Sequence, residues 1–220
     1  MAEIESGGGV AFPCHVDVAE PEQNEAMVAT VLQYADKLDI VHLNAGIPTQ
    51  NAAAISAMSI EEWDRVMAIN LRGVFLGLRF CSPAMARSGG GAIVLMSSLS
   101  GLLATPGTCA YMAAKHAVIG LARAAAVDLA PVSIRVNAIC PGMIDTDLFT
   151  ARFGSGPDRR HLMNQRFGPV IPGGRVGAPD DVARLIGFLV SDDASYITGG
   201  SYMIDGGVSI VSALSSSGAT

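Results

Sequence analysis

Apolar runs and amphipathic segments alternate along this chain. Residues 10 to 16 (VAFPCHV) read as a strand, although Pro13 demotes it to an edge or irregular position because it has no N–H for a ladder. Met27, Val28, Val31, Leu32 and Ala35 recur at helical spacing over residues 22 to 37. The short run Ile40-Val41-His42-Leu43 predicts a second strand, ending at Asn44-Ala45-Gly46. Ser59-Ile60-Glu61-Glu62 has the form of a capping box, in which Ser59 and Glu62 would satisfy each other's backbone N–H groups. It opens a long helix toward Ala86, stopped by Gly89-Gly90-Gly91. Ala92 to Met96 is apolar without alternation, as in a strand covered on both faces. A helix from about Gly107 to Leu129, a strand from Ile134 to Ile139 and a Pro/Gly-rich stretch from Pro141 to Gly177 follow. Pro179 with Asp180 and Asp181 opens a helix to about Val190, and Ser201 to Ile204 forms a last strand before Asp205-Gly206-Gly207.

At least four strand–helix alternations call for a parallel sheet with helices on both faces, and ligands of such sheets bind beyond the carboxyl ends of the strands. Four polar or turn features fall at those ends: Asn44-Ala45-Gly46, Ser97-Ser98, Pro141-Gly142 and Asp205-Gly206-Gly207. Residues 1 to 207 read as one α/β domain and 208 to 220 as a flexible Ser/Gly-rich tail.

Composition narrows the classes. Half of the 220 residues are apolar and the mean hydropathy is +0.41. The longest apolar runs are short or broken by Lys115, His116 and Arg123, so no run approaches the roughly 18 to 20 residues of a spanning helix. A net charge of −6 argues against nucleic acid, which needs a basic face. Cys14, Cys81, Cys109 and Cys140 lack both CxxC spacing and disulfide-scaffold density, and the four histidines lack metal-ligand spacing. No charged start precedes an apolar segment, so a cytoplasmic location is the expectation.

Tyr111 and Lys115 stand four apart on a predicted helix and so share a face. A tyrosine titrates near pH 10, and a neighbouring ammonium would lower that by favouring the phenolate, making a proton donor and acceptor useful near neutrality. Ser98, thirteen residues before Tyr111 at a strand end, could bind a carbonyl or alcohol oxygen beside it. The pair alone is equally a packed tyrosine beside a solvent-facing lysine.

The combination of Ser98, Tyr111-Met-Ala-Ala-Lys115, Asn44-Ala45-Gly46 and Pro141-Gly142 closely resembles the short-chain dehydrogenase/reductase family. So do Ile69-Asn70-Leu-Arg-Gly73, Arg135-Val-Asn137, Gly174-Arg175-Val-Gly-Ala-Pro179 and Tyr196-Ile-Thr-Gly199. The resemblance spans Asp17 to Gly207. It implies a Rossmann-like doubly wound sheet and hydride transfer between NAD or NADP and a carbonyl or secondary alcohol. By position, Tyr111 corresponds to the acid/base and Lys115 to the residue that lowers its pKa and binds the nicotinamide ribose. Ser98 would orient the substrate oxygen, and Asn70, through its backbone carbonyl, would hold a water of a proton relay. Asp17 and Val18 correspond to the adenine contact and Asn44, Ala45 and Gly46 to the adenosine side. Pro141, Gly142 and Ile144 correspond to the nicotinamide loop, and Thr146 to a carboxamide partner. Asn44 is equally a bridge between strands, Thr146 a turn cap, and Gly46 and Gly142 backbone devices. The family also implies a homo-oligomer, dimer or tetramer, formed through the two long helices and the last strand. Its substrate loop would be residues 143 to 177, with Phe149, Phe153, Leu162, Met163 and Phe167 as apolar lining or as packing.

One family element is missing from these residues. None of the 25 glycines forms T-G-x-x-x-G-x-G or G-x-G-x-x-G, the turn that lets backbone approach a pyrophosphate. Against the family pattern the sequence begins near the end of the second helix, so the expectation is an N-terminally truncated fold whose first two strands and their helices are missing. In the order 3-2-1-4-5-6 this would deprive the strand at Val10 of its neighbour and make the Ile40 strand a hydrophobic edge. A gene-model or isoform product of a full-length enzyme, a short variant that binds cofactor poorly, and an oligomerisation or regulatory subunit completed by a partner are the three readings. The first is preferred. The residue that selects NAD or NADP would lie in the missing part.

Overall fold

A computed structural model describes residues 1–149, 153–154 and 156–211. Its centre is a parallel sheet of β1 (Ile40–Leu43), β2 (Gly91–Met96), β3 (Ile134–Pro141) and β4 (Ser201–Ile204), in that spatial order. The register pairs Leu43 with Leu95, Leu95 with Ala138 and Ala138 with Ser201. The helices are α1 (Ala2–Ser6), α2 (Pro21–Tyr34), α3 (Ile60–Met67), α4 (Gly73–Arg87), α5 (Cys109–Leu129), α6 (Arg159–Phe167) and α7 (Pro179–Val190).

The unbroken apolar run of β2 follows from covering on both faces, because successive side chains point to opposite sides. Ile93 and Leu95 join Val136, Ala138 and Cys140 of β3 in a core closed by Leu78 and Met85 of α4 and Val118 and Ala122 of α5. Val94 and Ile139 point the other way, onto Val182 and Leu189 of α7. Gly91, at φ +145°, enters β2 where a side chain would strike the Asp39 carbonyl.

The predicted strand at residues 10 to 16 does not form. Pro13 cannot donate to a ladder, no strand among the described residues offers pairing, and Val10 is 91% exposed. Among the described residues the sheet has four adjacent parallel strands, with β1 at the edge. The expected hydrophobic edge is present. Ile40 is half-exposed, and a groove of about 330 Å³ opens there between β1, α2 and α4, lined among others by Val18, Val28, Leu38, Ile40 and Val74.

The long helix predicted from Ser59 is interrupted by one π-helical turn at Ala68–Arg72. Only half of its capping box is made. Ser59 accepts from the Glu62 N–H, but the Glu62 carboxylate turns instead to the Gln50 N–H at 2.6 Å and to Arg65. Helix α6, inside the Pro/Gly-rich stretch, was not legible in the pattern. Residues 212 to 220, most of the predicted tail, lie outside the described residues, whereas Val208–Ile210 forms a short 3₁₀ turn. Among the described residues no helix is long and apolar enough to cross a membrane, and none of their His, Cys, Asp and Glu side chains form a metal-binding group.

Candidate active site

The strand ends deliver two of the four polar features, Gly46 and Ser97-Ser98, to one place. β2 ends at Met96, the Ser97 N–H donates to the Ile139 carbonyl of β3 at 2.9 Å, and Ser98 follows in extended backbone. Helix α5 lies across this end, carrying Tyr111 and Lys115 one turn apart. The Ser98 hydroxyl, which accepts from the Ser100 N–H at 3.1 Å, stands beside the Tyr111 phenol, and the Lys115 ammonium sits 5.6 Å from the phenol ring centre.

Lys115 is not the solvent-facing lysine that spacing alone allowed: it is only 2% exposed. Its Nζ donates to the Met96 carbonyl at 2.8 Å. A Cβ added to Gly46 would stand 3.2 Å from that Nζ and 3.3 Å from the Asn70 side-chain oxygen, so Gly46 leaves a gap against both. Asn70, fully buried in the π turn, uses its side chain to hold Ile47, accepting from the Ile47 N–H at 2.7 Å and donating to its carbonyl at 2.8 Å. π turns are frequent where a helix must re-aim a group at a site. Asn70, Gly46, Lys115, Ser98 and Tyr111 therefore converge.

The electrostatics differ from the simple expectation. Burial raises the Tyr111 pKa above its ordinary value, and the Ser98 hydroxyl opposes the rise. The lowered tyrosine pKa expected from Lys115 is thus not found, because desolvation of the phenolate outweighs the neighbouring groups. Lys115 itself is pushed down to about 8, chiefly by burial. Below that it is charged, and its ammonium donates to the Met96 carbonyl.

Other residues carried over by resemblance divide. Val18, Asn44 and Ala45 line the groove at the β1 edge. The Asp17 carboxylate is engaged locally, accepting from the Ala19 N–H at 2.9 Å ahead of α2. Pro141 closes β3 opposite Ile204, and a Cβ on Gly142 would meet the Asp205 Cβ at 2.7 Å, so Gly142 serves a close backbone approach. Ile144 is buried among Val94, Ile139, Val182 and Leu189, which makes it a core residue. Thr146 sits between Asp145 and Asp147, both paired with Arg159 of α6 at 2.6 and 3.0 Å. Met163, Phe153 and Phe167 pack together with Ile171 and Val176, Leu162 is exposed, and the Phe149 side chain lies outside the described residues.

Sequence reasoning missed two neighbours of Lys115. Ser97 is buried and its hydroxyl donates to the Lys115 backbone carbonyl at 2.8 Å. Cys140 is buried beside both, its thiol pushed up by burial and so held neutral. The Ser97-Ser98 pair at a strand end was the one signal available.

A family model described as enoyl-(acyl carrier protein) reductase matches residues 1–209. Cyclopentanol dehydrogenase of Comamonas testosteroni is 41% identical over 207 residues, covering 94% of this chain and 80% of the relative. Cyclohexanol dehydrogenase of an Acinetobacter species is 38% identical over 204 residues, covering 93% and 77%. Among solved structures, a short-chain type dehydrogenase/reductase from Mycobacterium marinum superposes with a TM-score of 0.86 at 36% identity, over 96% of this chain and 80% of that one.

Proposed function

The chain belongs to the short-chain dehydrogenase/reductase family, and from that membership we propose that it interconverts a secondary alcohol and a ketone with NAD or NADP as hydride partner. The observation that carries the reading is the convergence of Ser98, Tyr111 and Lys115 at the carboxyl end of β2. The names of the two alcohol dehydrogenases support a cyclic or similarly apolar alcohol, as does the apolar packing of Phe153, Met163 and Phe167 beside the loop after β3.

The residues fit the nicotinamide and ribose end of such a cofactor. The Cβ-free gap at Gly46 borders Lys115 and Asn70, and Pro141-Gly142 stands at the neighbouring strand end. When bound, a nicotinamide supplies or accepts the hydride at the reacting carbon. No glycine-rich turn for the diphosphate occurs in the 220 residues.

In the oxidation direction the Ser98 hydroxyl holds the substrate oxygen, and Tyr111 as phenolate takes the alcohol proton while the C–H bond gives up its hydride. In reduction the Tyr111 phenol returns that proton to the oxygen. Lys115, charged below about pH 8, favours the phenolate and hands the proton onward, with Asn70 positioned at its side. The same reading expects a dimer or tetramer through the long helices, supported by the exposed Ile60, Phe75 and Val127, and light scattering would measure it.

The deciding assay follows cyclopentanol oxidation with NAD and with NADP. Tyr111→Phe is expected to lower kcat about a hundredfold or more. Equal turnover by the variant would sink the enzyme reading.

A further inference from the structure

We infer that Ser97 is a positioning residue that sets the height of the Tyr111–Lys115 turn above the end of β2, an inference that rests on the proposed roles of those two side chains. Ser97 is tied on one side to β3 through its N–H and the Ile139 carbonyl, at 2.9 Å. On the other side its Oγ donates to the Lys115 carbonyl at 2.8 Å, in a contact that is wholly buried. That carbonyl lies in the interior of α5, where the N–H four residues on already bonds it. The serine is therefore not needed to satisfy an orphaned acceptor, and its hydroxyl acts as a strut from strand to helix.

Two further contacts close the arrangement. Met96, the preceding residue, takes the Lys115 ammonium on its carbonyl, so consecutive residues of one strand end hold both the backbone and the tip of the same lysine. Gly101 lies over the strut: a Cβ there would stand 2.5 Å from the Ser97 Oγ and 2.8 Å from the Lys115 oxygen. A side chain at position 101 would wedge the helix off the strand. Because Ser98, next in sequence, stands beside the Tyr111 phenol and favours its phenolate, lengthening the Ser97 strut draws Tyr111 away from that neighbour.

The test uses the full chain. Ultraviolet titration of tyrosinate in the ligand-free protein, with Tyr111→Phe subtracted, reads the Tyr111 midpoint alone. In Ser97→Ala the midpoint is expected to rise by about half a pH unit or more, and kcat for cyclopentanol to fall about tenfold with KM within about twofold. Ser97→Thr, which keeps the hydroxyl, is expected to restore both. Gly101→Ala should reproduce the loss with Ser97 intact. A Ser97→Ala protein that is merely less stable, with midpoint and kcat unchanged, would overturn the inference, as would failure of Gly101→Ala to move either. The proposed function fails separately, if Tyr111→Phe turns over like the unaltered chain. The midpoint needs no turnover and still reads the strut.

Discussion

The end of β2 and the outer edge of β1 belong to one sheet, and they are finished in opposite ways. At β2, Ser97, Asn70 and Lys115 are all but inaccessible, and each polar atom described there has a short partner. At β1, Ile40 is half-exposed and an apolar groove runs along a strand paired on one side only. Buried polar groups hold fixed positions only where neighbours on every side satisfy them, and β2 has a strand on each side and helices on both faces. Position in the sheet decides which end can carry chemistry.

Core truncations give the largest contrast. Leu95→Ala on β2, at a fully buried site, is expected to cost about 3 kcal/mol in urea unfolding. Ile40→Ala at the β1 edge should cost about 1 kcal/mol or less. Equal losses would mean that the edge is covered after all.

A smaller effect concerns the buried ammonium. The folded pKa of Lys115, about 8, lies below its ordinary value, so between those two pH values the unfolded chain binds more protons than the folded one. Stability therefore rises with pH across that window, and the gain is lost as pH falls through about 8. Lys115→Met should accordingly be more stable than the unaltered chain at pH 7, by about 1 to 3 kcal/mol, while losing turnover. The advantage should shrink above pH 8. Parallel stability–pH curves for the two proteins would show that the ammonium carries no burial cost.

The smallest effect tests the edge itself. Ile40→Lys puts a charge on the open side of β1 and should reduce self-association in light scattering, with stability changed by about 0.5 kcal/mol or less. An unaltered chain that associates no more than the variant would show that the groove does not act as an adhesive edge.

The strand–helix alternation, the coverage of β2 on both faces and the four polar features at strand ends were legible because they depend on periodicity and on local turn chemistry. The Tyr111–Lys115 spacing was legible for the same reason, since a helix puts residues four apart on one face whatever surrounds it. Residues 10 to 16 form no strand because an apolar run becomes one only beside another strand, and none lies there among the described residues. Helix α6 escaped because Pro and Gly dominate its surroundings while its own stability comes from Met163 in the loop core and from Arg159 on Asp145. Glu62 left its capping role because the Gln50 N–H and Arg65 offered more than Ser59 could.

By itself, then, the sequence determined which residues could do the chemistry and at which strand ends they would stand. Only the tertiary structure decided that Lys115 is buried and near pH 8, that burial outweighs its neighbours in setting the Tyr111 pKa, and that Ser97 ties the two to the sheet. Those outcomes depend on solvent exclusion and on partners far away along the chain, such as Met96 for Lys115, and neither is written in any local pattern.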